Sequence, residues 1–231
     1  TIPFPLTAEY ISATATDAVD RNTSEFSPVD SDGDAIADAW ETRGIDFNED
    51  GTVDLVLEGA DPMHKNIYVE IDCMMGRVPD YANLVRASTG TGRDDGFLNA
   101  PNSLVQNPDG TDGIFVLYDL DETNLPAASW NSTRFLFFDI LKTNFFGTPV
   151  QRISTNAAQI LEAKKLFYHY CIVADSVPDA GGACRARGAS DFYLALGTSV
   201  SNPTWDFVPG SFMHELGHSL GLGHGGADGV N

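Results

Sequence analysis

Apolar and polar positions along this chain mark out a few secondary-structure elements and leave long stretches with no period. Four runs, residues 66–72, 113–119, 166–174 and the shorter 192–196, are rich in Val, Ile, Tyr and Phe and bounded by turn residues. They predict strands of one sheet. Residues 155–165 combine Ala, Gln, Leu, Glu and Lys behind a Thr or Asn able to cap, which predicts a helix. Residues 36–43 read as one brief helix between loops rich in Asp and Gly. Residues 1–29 are rich in Thr, Ser, Ala and Pro and read as an extended arm. Residues 99–112 contain Asn-Pro-Asp-Gly and must turn. Residues 127–148 are rich in aromatic side chains, and no element is assigned to them. The character changes near residue 62. Residues 1–61 are expected to form an arm with calcium-binding loops, and residues 62–231 an α/β (α+β) core.

One more segment carries helical spacing together with chemistry. Residues 211–226 read Ser-Phe-Met-His-Glu-Leu-Gly-His-Ser-Leu-Gly-Leu-Gly-His-Gly-Gly, which contains H-E-x-x-H-x-x-G-x-x-H in full. Residues four apart on a helix differ by about 40° around its axis, so His214 and His218 can place ring nitrogens on one metal. Phe212, Met213, Leu216 and Leu220 are expected on the opposite, buried face. Glu215 lies roughly 100° round, beside the metal, where a general base is needed. Gly221 can take a positive φ and end the helix, so that His224 returns as third ligand. Three imidazoles leave a fourth zinc position for water, the arrangement of a catalytic site. By residue frequencies the whole pattern arises by chance on the order of once in 10⁵ such chains. His64 and His169 are left over and are expected to serve surface or packing roles.

A second constellation lies upstream. Asp30, Asp32, Asp34, Asp38 and Glu41, with the Ile36 carbonyl, have the donor spacing of a twelve-residue calcium loop. Ala35 stands where such a loop usually has Gly. Asp46, Asn48, Asp50, Thr52 and Asp54 repeat the spacing, with Gly51 correctly placed but Leu57 where the closing acid belongs; Glu58 or Glu41 is the candidate replacement. Carboxylates this close repel one another unless a divalent ion offsets the repulsion. One or two structural Ca²⁺ ions and one catalytic Zn²⁺ are therefore expected.

Charge and cysteines narrow the setting. With 33 acidic and 13 basic residues the net charge is −20, which weighs against nucleic acid and anionic lipid as partners. No apolar run reaches the roughly 20 residues that span a bilayer, and the opening Thr-Ile-Pro-Phe-Pro lacks a signal-peptide pattern, so the chain reads as already processed. Of the three cysteines, Cys171 and Cys184 flank a Gly-rich stretch and are expected to form a disulfide, leaving Cys73 as a buried thiol or the partner of a cysteine elsewhere. A disulfide and calcium loops both suit a secreted, extracellular protein.

The zinc segment resembles the signature of the metzincin clan of metallopeptidases at every fixed position, and the Asp-rich loops resemble thrombospondin-type and EF-hand-like calcium repeats. The first resemblance implies a metzincin-like twisted mixed sheet with a backing helix and a zinc-binding active-site helix. It also implies a cleft in which substrate lies along an edge strand, and zinc-dependent endopeptidase chemistry on protein or peptide substrates. Metzincins carry a methionine turn beneath the metal after the third histidine. Met63, Met74, Met75 and Met213 all precede His224, so that turn is expected from a C-terminal continuation or a second chain. The rival expectations are a secreted calcium-dependent binding or adhesion module with structural zinc, and an inactive fragment that needs its second chain.

Overall fold

The computed structural model describes residues 28–79, 105–127, 134–175, 181–195 and 207–224. Nearly all of the arm expected at 1–29 lies outside them. In chain order the elements are α1 (Asp38–Arg43), β1 (Asn66–Cys73), β2 (Phe115–Leu120), α2 (Arg134–Phe145), α3 (Pro149–Arg152), α4 (Ala157–Phe167), β3 (Tyr168–Ala174), β4 (Gly182–Cys184), β5 (Asp191–Ala195) and α5 (Phe207–Ser219). The strands form one mixed sheet in the order β2-β1-β3-β5-β4. β1 pairs parallel to β2 and β3, and β3 parallel to β5, while β4 runs antiparallel to β5. The fold is thus a mixed α/β arrangement around a mostly parallel sheet.

Alternation along the strands sorts side chains into two apolar layers. Val69, Ile71, Cys73, Cys171, Val173, Phe192 and Leu194 face α5 and pack on Phe212 and Leu216. Tyr68, Tyr170, Ile172 and Tyr193 face the other way, onto Phe138, Leu141, Phe146, Ile160 and Ala163. Ile36, Ile45, Leu55 and Leu57 from the acidic loops join this second layer. Phe212 and Leu216 are each 0% exposed, and such burial stabilises by about 1.5–3 kcal/mol per side chain. α5 is thereby fixed on the sheet.

Two carboxylates are buried in the second layer. Glu70 meets Lys164 Nζ at 2.5 Å and accepts the Gly147 N–H. Asp72 accepts from the Tyr170 hydroxyl and from the Glu122 N–H. Burial pushes both up, Glu70 to about 7 against the pull of Lys164, and Asp72 to about 6. Asp121 converges on them, and Arg152 reaches Asp121 at 3.6 Å. These groups tie β1 and the residues after β2 to α3 and α4.

Most predicted elements appear with shifted ends. The run at 166–174 starts as helix: α4 continues through Phe167 and passes into β3 with no intervening loop. Asn156 stands at the N-cap of α4 but makes no side-chain cap bond; it donates to Asp54 at 2.7 Å instead. Asn107-Pro108-Asp109-Gly110 does turn, with the Gly110 N–H on the Asn107 carbonyl. The aromatic stretch forms α2, whose phenylalanines serve two neighbours: Phe135 and Phe138 pack on Tyr193 and Tyr170. Among the described residues no helix is long and apolar enough to cross a membrane.

The disulfide expected between Cys171 and Cys184 is not formed; all three cysteines are free thiols. The reason is the sheet. Phe192 of β5 is the register partner of both Cys171 and Cys184, so the two lie two strands apart. At about 4.8 Å per strand step their Cα atoms are some 9–10 Å apart, beyond the roughly 7 Å that a disulfide spans. Gly182, at the end of the Gly-rich stretch, opens the edge strand β4, which is too short for its pattern to show. Denatured but unreduced protein should take up three alkyl groups per chain in intact-mass analysis. Uptake of one would restore the disulfide.

Candidate metal centres

α5 ends just after its second histidine, and the way it ends brings in the third. The Gly221 N–H bonds the His218 carbonyl and the Leu222 N–H bonds the Gly217 carbonyl, both at 2.9 Å. Gly221 takes φ 92°. This is the Schellman arrangement, with Leu222 folded back toward Gly217. The reversed chain places the Leu222 carbonyl 2.8 Å from His218 Nδ1. A carbonyl can only accept, so Nδ1 carries the proton and His218 Nε2 presents a lone pair.

The three Nε2 atoms of His214, His218 and His224 form a triangle with 3.0 Å sides. Three nitrogens around one tetrahedral zinc at about 2.0–2.1 Å stand roughly 3.3 Å apart, so the triangle needs to open by only a few tenths of an ångström. Burial, together with His218 and His224, holds His214 below the usual imidazole range, which favours the neutral, ligating form. The donor set fits zinc in type, number and spacing. Leu220, expected on the buried face, lies past the end of α5 and is 40% exposed. Met213 is partly buried against the apolar layer, as expected.

Glu215 is 6% exposed and lies against the edge strand. The backbone N–H of Cys184 lies near its carboxylate. Burial pushes this carboxylate above the ordinary range, and His218 and the Cys184 N–H pull it partly back. A Cβ on Gly182 would meet Glu215 Oε1 at 2.8 Å and the Tyr193 carbonyl at 2.9 Å. Only glycine lets β4 come this close. Gly182→Ala is expected to crowd the Tyr193 carbonyl and displace the carboxylate, lowering the thermal midpoint by a few degrees; an unaltered midpoint would contradict this packing. Sequence reasoning missed the contact, although Gly181-Gly182 signals a close backbone approach.

The leftover histidines pack. His169 Nδ1 meets Ser219 Oγ at 2.5 Å, and Ser219 donates to the Ala189 carbonyl, clasping the end of α5 to β3. Burial lowers His169 to about 4, so it is neutral near pH 7. His64 is 1% exposed, stacks on Phe115 and contacts Asp109 and Thr111 through Nδ1.

The acidic loops share one hydrogen-bond frame. At the first position Asp30 accepts the Ala35 N–H, and Asp46 the Gly51 N–H. At the fifth, Asp34 accepts from Ile36 and Asp50 from Thr52. At the ninth, Asp38 accepts from Ser31 and Asp54 from Phe47. Ala35 takes φ 74° and Gly51 φ 88°, so Ala35 adopts the glycine conformation of the sixth position at a cost of about 1 kcal/mol.

The loops differ at closure. Asp30, Asp32 and Asp34 bring carboxylate oxygens within 4.8 Å of one another. Glu41 is 8% exposed, and neither of its carboxylate oxygens has a hydrogen-bond partner; Asp32 Oδ2 is likewise buried and unpartnered. Burial first, then Asp34, Asp32, Asp38 and Asp30, push Glu41 up to about 8. All four of these neighbours are acids of the first loop, so Glu41 sits in that loop's field. In the second, Leu57 is 2% exposed in the core and Glu58 is exposed. Among the described residues its acids form no comparable cluster.

The first loop is wired to the core, since Asp34 Oδ2 accepts the N–H of Asn66, the first residue of β1. No protein-family model, curated protein or solved structure matches the chain.

Proposed function

We propose that this chain is the zinc-binding part of a secreted, calcium-stabilised endopeptidase of the metzincin kind. The observation that carries the reading is the convergence of three Nε2 atoms at 3.0 Å beside a buried glutamate held by the edge strand. His214, His218 and His224 hold the metal. A zinc ion there supplies Lewis acidity, polarising a carbonyl and lowering the pKa of water to about 7.

Glu215 is the general base, and its buried position keeps its basicity closer to neutral than that of a free carboxylate. It takes the proton from water and returns it to the leaving amine. The carboxylate packs closely on Gly182 of the edge strand, with the Cys184 N–H nearby favouring its charged form, so the proton acceptor is in place before substrate arrives. β4 is the last strand in the sheet order, and an extended peptide can add to it through main-chain hydrogen bonds next to Glu215. A mostly parallel sheet with one antiparallel edge strand beside the zinc helix is consistent with the metzincin-like fold.

In the first acidic loop, Asp30, Asp32, Asp34, the Ile36 carbonyl and Glu41 hold Ca²⁺, and Asp38 positions Ser31. The buried, unpartnered oxygens of Glu41 and Asp32 support this. The second loop, through Asp46, Asn48, Asp50, Thr52 and Asp54, is the weaker site because Leu57 removes its closing acid.

Metal analysis of the purified protein tests the assignment of ligands. One zinc per chain is expected, falling to well under half in His214→Ala, His218→Ala and His224→Ala. Full zinc retention in all three variants would sink it.

A further inference from the structure

The loop that follows β4 returns across the end of α5. The Gly188 N–H donates to the His218 carbonyl at 2.9 Å, which seats residues 185–188 beside two of the three histidines. A cleft of about 300 Å³ opens there, lined by Cys184, Ala186, Arg187, His218, Gly223 and His224. Among the described residues, its one charged lining residue outside the histidines is Arg187.

Arg187 lies over Gly223, the residue before His224. A Cβ on Gly223 would meet Arg187 Nη1 at 2.8 Å and Cζ at 3.8 Å, so glycine makes room for the guanidinium. The side chain is exposed, and among the described residues it makes no ion pair. Its neighbour Arg185 shows the contrast, being held by both Asp139 and Asp191. The Arg187 guanidinium lines the cleft beside His218 and His224. The net charge of −20 also repels acidic peptides at long range, so a local cation is what would let the cleft accept one.

We propose that Arg187 is a specificity-determining residue, which makes the cleft select peptides with an Asp or Glu side chain close to the bond presented to the metal. The inference takes the peptide-binding role of the cleft from the reading above. The guanidinium offers paired N–H donors to a carboxylate, a charge-assisted arrangement that an amide of the same shape only partly satisfies. Solvent exposure limits the gain to about fivefold.

The test measures binding without cleavage. Zinc-loaded Glu215→Gln protein is titrated with peptides in which one Asp is walked through an alanine background, each matched to its Asn counterpart. At one or two positions the Asp peptide should bind about fivefold more tightly than the Asn peptide, and raised salt should shrink the ratio. Arg187→Gln should bring the ratio to about one, and Arg187→Glu should favour a Lys peptide instead, with zinc content unchanged in both. Equal affinity for Asp and Asn at every position, no measurable binding of any peptide, or a preference that survives Arg187→Gln would overturn the proposal. The peptidase reading is scored separately, by cleavage in the protein that retains Glu215. An acidic preference without cleavage would sink only that reading, and cleavage without an acidic preference only this one.

Discussion

Replacing Glu215 with Gln is expected to lower casein hydrolysis by about 10²–10⁴-fold while leaving one zinc bound per chain. The side chain is nearly isosteric, and Gly182 already leaves room for it, so folding should be unaffected. What the amide loses is the ability to take a proton. The same packing against Gly182 holds it, so position is preserved and chemistry is not. Equal activity in the variant would remove Glu215 from its role, and loss of zinc would show that the residue was structural.

Calcium removal should be the second large effect. At a free concentration about 100 times Kd, an ion that binds only the folded chain stabilises it by about 2.7 kcal/mol. Chelation should therefore lower the thermal midpoint by several degrees, and Glu41→Ala should abolish most of that response. The effect has a pH signature. Without calcium, burial and carboxylate neighbours raise Asp32 to about 6 and Glu41 to about 8, above their values in the unfolded chain. The calcium-free fold then holds extra protons, so its stability is greatest below about pH 4 for these groups and is lost as pH rises through 6 and 8. Calcium ligates the ionised carboxylates and removes that loss. The midpoint gained on adding calcium should thus be larger at pH 8 than at pH 5, as read by calorimetry at both. A gain that shrinks with rising pH would contradict the loop assignment.

How much of this was legible in the sequence depended on whether the signal was local. The helix of the proposed zinc site could be read because His214 and His218 lie four apart on one element and Gly221 marks where the chain must reverse. The loops could be read from donor spacing, and the acids of the first of them, Asp30, Asp32, Asp34 and Asp38, are the charges that act on Glu41. β1, β2, β3 and β5 were legible as apolar runs because a largely buried parallel sheet needs few polar positions. α2 was not, because its phenylalanines pack on tyrosines from separate strands and leave Leu136 and Ile140 exposed. β4 was missed for a different reason: three residues carry no period, and its identity comes from pairing with β5. The expected disulfide failed on the same point, since proximity in sequence between Cys171 and Cys184 says nothing of the strand that separates them. The contact of Gly182 with Glu215 and the placement of Arg187 are likewise tertiary facts.

The most direct test of the central claim is digestion of unfolded casein by the purified protein in calcium, with and without a zinc-selective chelator, followed by restoration of zinc. The account predicts cleavage that the chelator abolishes and zinc restores. Cleavage indifferent to the chelator, or no cleavage by protein shown to hold one zinc on its three histidines, would contradict it.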